Sequence, residues 1–397
     1  MQIEEARHYR IGFQHLGFRP FFLLASILAV VSIGGWLWIL TYQGHLPASL
    51  NLSPVSWHAH EMLYGYVVAV IAGFLLTAER NWTGVQTLHG MPLLLLAVLW
   101  LLARLMPFMN TPQSLLFMAA FDLMFNAGLC LALLYPIVKV RQWQHLAIWS
   151  KVLLLLVGNI LFYLGAVNEL DDGIRLGLYT ALYLIVSLIM LMGRRVIPFF
   201  IEKGVDQPVS LVNHRWLDLT SLALMLAFII VEVFVVSPML AAITAAALAV
   251  LHAWRLVGWY SNGIWSKPLL WSLYLGYAWL VAGFALKALS YWSTVNPMLA
   301  IHAFAYGGVG MITLGMMARI TLGHTGRDVF TPPRVMPVLF LLLFSGAFIR
   351  VVMPILTSGS YAMWIMLSQL LWMAAFTGFV LVYAPMLVKG RVDGKYG

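Results

Sequence analysis

The stretch that decides the fold runs from Trp57 to Ala78 and reads WHAHEMLYGYVVAVIAGFLLTA. The part after Glu61 carries no charge, and the stretch is long enough to cross the roughly 30 Å hydrocarbon core of a bilayer as a helix. Similar runs recur along the 397 residues, of which 62% are hydrophobic and 9% charged. The runs lack the alternation of barrel strands, and a spanning segment must satisfy its own backbone hydrogen bonds. The sequence therefore predicts an all-α polytopic membrane protein.

We predict twelve transmembrane helices within a single integral membrane domain, residues 1–397. The predicted spans lie near 20–42, 57–78, 90–108, 112–138, 146–168, 173–193, 214–236, 238–260, 268–291, 297–320, 335–356 and 360–388. Short cytoplasmic loops retain Lys and Arg. With both termini in the cytoplasm, all of the 23 basic residues except Arg104, Arg175, Lys287 and Arg350 fall in inner segments. The span count and the orientation therefore support each other.

The remaining composition excludes several classes of protein. The net charge of +9 is spread over many inner segments with no soluble domain to hold a duplex, so the bilayer and not nucleic acid is the predicted partner. A single cysteine, Cys130, excludes a disulfide, a cysteine-ligated cluster and a covalently attached c-type haem. The polar residues up to Arg19 lead directly into a full-length span, which predicts an uncleaved first helix.

Histidines within or beside the spans are the first candidates for function, because ionisable groups in membrane helices are costly. We predict metal ligation by His58, His60, His252 and His302, and weaker candidates nearer the inner ends are His89, His214 and His324. His302 lies about 7 Å into its span at 1.5 Å per residue, so we expect three imidazoles in the outer third of the membrane. His58 and His60 point about 200° apart on a regular helix, so they serve two sites or one is structural.

Basic residues that fall outside the predicted inner segments form a second group of candidates. Arg104, Lys287 and Arg350 fall near the outer ends of their helices. One interpretation is that these side chains extend to the outer interface. The other is that they neutralise carboxylates, either those of Glu61 and Glu232 or the propionates of a haem.

One histidine has an arginine a helical turn away. His252 followed by Arg255 is the arrangement that a b-type haem would use, with imidazole on iron and guanidinium on a propionate. Glu61, Asp122 and Glu232 are candidates for a second shell or a proton path, and Tyr306, four residues after His302, joins them. The second and tenth spans also share His-Ala, Tyr-Gly and Thr-Gly pairs in one order, without a convincing repeat of whole halves.

Several longer motifs resemble the NnrS family. They are GFRPFF at 17–22, WHAHEMLYGY at 57–66, AGFLLTAERNWTG at 72–84, GRRVIPFF at 193–200, HAWRLVGW at 252–259 and HAFAYGGVGMITLGMMARITLGHTGR at 302–327. The resemblance runs from the first helix through the tenth. It implies a bacterial inner-membrane protein that carries haem and copper, is produced in response to nitric oxide and protects against nitrosative stress.

With the histidines as ligands, the resemblance implies a protein that binds haem b and copper and takes up nitric oxide or a derived species at reduced metal. Simple binding and an oxidoreductase activity are both open at this point, and the sequence indicates no electron donor. The alternative is a transporter of copper or of a small anion that uses the same histidines and arginines. The 21 methionines are better explained by helix packing than by copper handling.

Overall fold

The computed structural model describes residues 11–47, 50 and 52–397. Arg7 and Arg10, two basic residues of the predicted inner N-terminus, lie outside them. Within the described part the chain is helical and forms no β-strand, and a lone antiparallel bridge joins Ile11 to Lys389. The predicted all-α class is confirmed.

Twelve helices of the described part are long and apolar enough to cross a membrane, as predicted. They are α1 (Phe18–Tyr42), α2 (Pro54–Thr83), α3 (Gly90–Met109), α4 (Ser114–Val140), α5 (Trp143–Ala166), α6 (Gly173–Gly204), α7 (Arg215–Val235), α8 (Pro238–Gly258), α9 (Pro268–Trp292), α10 (Pro297–His324), α11 (Met336–Leu356) and α12 (Tyr361–Val388). The side of the membrane on which the termini lie stays a prediction.

The largest difference from the predicted bounds is at the end of α6. The span was predicted to end at residue 193, but the helix continues to Gly204 through Arg194 and Arg195. Charged residues mark the edge of the hydrocarbon core, whereas arginine is a good helix former and does not end a helix. Much of the predicted inner loop 194–213 is therefore helical.

Two membrane helices change pitch directly after a histidine. In α2 the turn Pro54–His60 is α-helical and Glu61–Val67 is π-helical. In α10 the turn Pro297–His302 is α-helical and Ala303–Gly310 is π-helical. The glycine cluster of α10 thus lies in a wider helical turn and does not interrupt the helix. Segments of π-helix are frequent at functional sites because they re-aim the side chains that follow.

Contacts between Cα atoms divide the chain into two compact units. Unit 1 holds the described residues up to Ala181 together with Met317–Thr331 and Phe376–Gly397. Unit 2 holds Leu182–Met316 and Pro332–Ala375. The single domain over residues 1–397 stays a prediction, and the polar groups of each unit are described separately below.

Candidate functional site

His252 of α8 is the buried histidine of unit 2. Its Nδ1 lies 2.6 Å from the hydroxyl of Tyr277 on α9. Its Nε2 is buried and has no hydrogen-bond partner among the residues that the structure describes. A buried polar atom left unpaired costs free energy of about 1–3 kcal/mol. This nitrogen is therefore available to a ligand.

A cavity of about 210 Å³ lies beside His252. Its walls include Met190 and Arg194 of α6, Arg215, Asp218 and Met225 of α7, and His252 and Arg255 of α8. An engineered apolar cavity of about 150 Å³ is enough to hold benzene. The cavity therefore has room for a small molecule or for a metal ion with a small ligand.

The charges around this cavity do not cancel. Arg255 donates from Nη2 to Asp218 Oδ1 at 2.8 Å, and Arg194 pairs with the other oxygen of the same carboxylate. Arg215 lines the cavity as well, so three guanidinium charges face one carboxylate charge and two positive charges remain. The cavity suits an anionic group beside a metal.

The spacing of polar residues along α7 explains how this cavity arises. Asp218, Ser221, Met225 and Phe228 follow one another at intervals of three or four residues, which places them on one face of the helix. Phe228 is fully buried and ends the polar part of the face. This face of α7 therefore turns Asp218, Ser221 and Met225 toward the cavity.

An aromatic layer closes one side of the His252 site. The Phe284 ring packs edge-to-face on Phe228 at 5.5 Å and on Phe304 at 4.7 Å between centroids. Beyond this layer Lys287 of α9 pairs with Glu232 of α7, and the Tyr183 hydroxyl donates to Glu232 at 3.4 Å. The described contacts of Lys287 and Glu232 match the carboxylate alternative predicted for that lysine.

Unit 1 contains a second polar site, a buried network around His60. The ring Nδ1 lies 3.3 Å from Glu61 Oε1, and Nε2 lies 3.1 Å from Asn159 Oδ1 and 3.4 Å from Asp122 Oδ2. Asn159 donates from Nδ2 to Asp122 at 2.9 Å, which turns its carbonyl oxygen toward His60. Both ring nitrogens of His60 therefore face oxygen acceptors.

Arg104 of α3 joins the two carboxylates of this network. Its Nε lies 3.0 Å from Glu61 Oε2 and its Nη2 lies 2.9 Å from Asp122 Oδ1. The hydroxyl of Tyr163 also donates to Asp122, at 3.1 Å. Arg104 is thus a counter-ion for carboxylates of the chain, one of the two alternatives predicted for it.

Charge balance follows from these contacts. If both ring nitrogens of His60 carry protons, the positive charges of His60 and Arg104 equal in number the negative charges of Glu61 and Asp122. A buried charge is far less costly when an opposite charge lies beside it. In that protonation state His60 has no lone pair for a metal, and its role as a ligand stays a prediction.

Gly65 makes room for this network. A Cβ at this position would lie 2.8 Å from Leu28 Cδ2, 3.1 Å from Arg104 Nη1 and 3.2 Å from Glu61 Oε2. We expect Gly65→Ala to destabilise the protein by about 1–3 kcal/mol, the usual cost of overpacking. Thermal melting in detergent measures this. Gly323→Ala is the matched control in unit 1, because its Cβ meets only Val329 Cγ1 at 3.6 Å, and equal melting shifts would contradict the prediction.

His302 of unit 2 is engaged at both ring nitrogens. Its Nδ1 donates to the carbonyl of Met298 at 2.7 Å, so Nε2 accepts from Arg350 Nη2 at 3.1 Å. Tyr306 donates its hydroxyl to the carbonyl of Ser368 at 2.7 Å. Metal ligation by His302 and a proton-path role for Tyr306 stay predictions. The contacts described for these two residues do not test either role.

The other predicted histidines make local contacts. The ring of His58 stacks on Trp36 of α1 at 4.6 Å, so His58 and His60 contact different helices, as their spacing predicts. The remaining three are His89, whose Nδ1 contacts the Thr87 carbonyl at 3.0 Å, exposed His214, which lines a cavity of about 50 Å³, and His324, whose ring packs on Phe18 at 5.6 Å.

Within the described residues no group of three or more His, Cys, Asp or Glu side chains is arranged to hold a metal ion. A ligand set at His252 would therefore be completed by other donor types, by the group that it holds or by small molecules. The metal roles predicted for His58, His60, His252 and His302 remain predictions.

Several residues of these sites were not predicted from the sequence. They include Asp218, Arg194, Tyr277 and Asn159. The available signal was helical spacing: Asp218 precedes Glu232 on one face of α7, and Tyr277 precedes Phe284 by two turns on α9. The spacing of residues along a helix shows which of them share a face, but only the packing of the helices shows which other helix that face contacts.

The fold and its buried polar groups define a multi-pass helical membrane protein with ionisable sites inside its helix bundles. The sequence model of one family, described as NnrS protein, matches residues 12–391 of the chain. The chain therefore belongs to the NnrS family. Membership suggests a membrane protein of the nitric oxide response. No curated protein matches the chain.

Proposed function

We propose that this chain is a bacterial inner-membrane protein that binds haem and copper, takes up nitric oxide or a derived species at reduced metal, and so protects against nitrosative stress. The observation that supports the proposal is the His252 site. A buried imidazole nitrogen without a described partner lies beside a cavity of about 210 Å³ with excess positive charge.

The donor chemistry of this site fits a haem. Histidine is the usual axial ligand, and arginine pairs with carboxylates such as propionates. Three arginines against Asp218 leave two positive charges, the number that two propionates neutralise. The volume of about 210 Å³ is below the range of about 300–1,000 Å³ for drug-sized ligands. A whole macrocycle therefore requires lining side chains such as Met190 and Met225 to move.

The same walls also offer donor types that suit copper. Thioether sulfur and imidazole nitrogen are ligands that suit Cu(I), and Met190, Met225 and His252 line one cavity. A reduced iron or copper ion would supply the centre to which nitric oxide binds.

The residues of the chain have separate tasks at this site. Tyr277 holds Nδ1 of His252, which fixes the ring and directs Nε2. Asp218 holds Arg194 and Arg255 in place by accepting from both. The Phe284 ring packs on Phe228 and Phe304 and forms the apolar side of the His252 surroundings.

Replacing Tyr277 by Phe tests the first of these tasks. We expect metal affinity to fall about 10–100-fold, the usual effect of losing the partner of a ligating histidine. Competition with a chelator measures this affinity. Tyr274→Phe is the control on the same helix, because that hydroxyl donates to the Leu256 carbonyl at 3.1 Å and not to His252. If the two variants retain metal equally, Tyr277 does not position the ligand.

The proposal itself is tested on the wild-type protein. We would purify it in detergent from haem-replete cells, measure iron and copper, and record the dithionite-reduced spectrum with and without nitric oxide. The expected result is a Soret band that shifts with nitric oxide, together with bound copper. A folded protein free of haem and copper would overturn the proposal.

A small-anion transporter is the second candidate, and the excess positive charge of the cavity favours it. If Tyr277 donates to Nδ1, the free nitrogen of His252 carries a proton and offers a hydrogen bond to an anion. Anion flux into proteoliposomes, lost in Arg255→Gln, combined with the absence of a Soret band would select this function.

A further inference from the structure

Seven residues of α2 and the position after it recur in α10 and the positions after it at a separation of 242 residues. The matching pairs are His60 and His302, Tyr64 and Tyr306, Gly65 and Gly307, Val67 and Val309, Gly73 and Gly315, Thr83 and Thr325, and Gly84 and Gly326. In both helices the π-helical segment begins at the residue after the histidine. Sequence and local structure thus repeat in one register.

The surroundings repeat as well, each within its own unit. Tyr64 donates its hydroxyl to the Gly177 carbonyl at 2.8 Å, and Tyr306 donates to the Ser368 carbonyl at 2.7 Å. The next membrane helix then carries an arginine in the last turn of its α-helical part, Arg104 in α3 and Arg350 in α11. In both units the arginine belongs to the polar group around the histidine.

The carboxylates do not repeat. Glu61, which pairs with Arg104, corresponds to Ala303. Asp122 stands eight residues after the start of α4 at Ser114, and Gln369 stands eight residues after the start of α12 at Tyr361. The Oε1 atom of Gln369 is buried and has no hydrogen-bond partner among the described residues. Unit 2 therefore keeps the two basic side chains and replaces both acids by neutral residues.

Arg350 has more N–H donors than its described hydrogen bonds use. A guanidinium has five N–H donors. The described hydrogen bonds of Arg350 are one with His302 at 3.1 Å and one to the Tyr361 hydroxyl at 3.4 Å, and its Cζ also lies 5.7 Å from the centroid of the Tyr361 ring. Among the described residues no carboxylate lies within ion-pair distance of it, and its side chain is half-buried. Arg350 lies near the end of a membrane helix, where its guanidinium can reach the interface, so its unused donors are available to an anion.

We propose that a small carboxylate or oxyanion binds Arg350, in the place that the Glu61 carboxylate takes beside Arg104. His302 is a positioning residue, because its Nε2 holds one guanidinium nitrogen and its own ring is fixed by Met298. The anion comes either from solution or from a lipid headgroup, since both present the same oxygens. This site does not depend on metal at His252.

The test uses two probes on the full chain. Sodium formate is titrated by calorimetry into protein in detergent and a chloride-free buffer, as a dissolved copy of the Glu61 carboxylate. Separately, melting is measured in nanodiscs of phosphatidylcholine with and without phosphatidylglycerol. In the wild type we expect formate to bind or phosphatidylglycerol to raise the melting temperature. In Arg350→Gln we expect formate to bind at least ~10-fold more weakly, or the stabilisation by phosphatidylglycerol to be lost. Formate binding identifies a dissolved anion, and a response to phosphatidylglycerol alone identifies a lipid.

A second variant keeps the arginine and removes the need for an external anion. Ala303→Glu supplies a carboxylate at the position of Glu61, so we expect it to abolish the response to both probes while circular dichroism stays helical. Arg350→Lys, which keeps the charge, is expected to retain part of the response. Failure of both probes on the wild type, or an unchanged response in Arg350→Gln, would overturn the proposal.

Discussion

Replacing Arg104 by Gln is expected to destabilise the protein by about 3–5 kcal/mol, because removing one partner of a buried ion pair leaves charge uncompensated. Glu61 and Asp122 are 3% and 0% exposed, and both lie within 3.0 Å of Arg104. The loss would appear as a large drop in melting temperature in detergent. This is the largest effect on stability that we expect from a single polar substitution in unit 1.

Two comparisons make this prediction specific. Arg175→Gln removes a salt bridge to Asp172 whose carboxylate side chain is 69% exposed, and such surface pairs contribute about 0–1 kcal/mol. The double variant Arg104→Gln/Glu61→Gln removes one charge of each sign and should melt above Arg104→Gln alone. If Arg104→Gln melted like Arg175→Gln, the charge balance inferred for the network would be wrong.

Replacing His252 by Ala is expected to have the largest effect on function. The substitution removes the one buried imidazole nitrogen of the cavity that has no described partner. Bound metal at this site should fall to roughly a tenth or less, and the spectral change with nitric oxide should fall with it. Metal analysis and the reduced spectrum measure both.

His302→Ala is the matched control for this result. Both ring nitrogens of His302 have partners, Met298 and Arg350, so its loss is expected to leave metal bound at His252. A protein that keeps its metal in His252→Ala and loses it in His302→Ala would reverse the assignment.

Apolar length was enough to predict the membrane helices. Runs such as Val67–Ala78 have no other stable state in lipid than a helix. The counter-ion alternative for Arg104 and Lys287 was also predictable, because an unpaired charge in hydrocarbon is rare and Glu61 and Glu232 are among few acids available.

The direction of each histidine was not predictable. His60 of α2 contacts Asp122 of α4 and Asn159 of α5. His252 of α8 contacts Tyr277 of α9. These contacts depend on how helices pack, and helical spacing alone does not specify the partner helix. The switch to π-helix after His60 and His302 also has no distinct sequence signal beyond nearby glycines.

Ligation of metal by the His252 imidazole is tested most directly by electron paramagnetic resonance of the reduced protein with nitric oxide. The spectrum would be recorded with natural histidine, with histidine labelled by the heavier nitrogen isotope, and for His252→Ala. We expect a hyperfine pattern that changes with the label and that His252→Ala eliminates. A hyperfine pattern that is the same with and without the nitrogen label, or that persists unchanged in His252→Ala, would contradict ligation by His252.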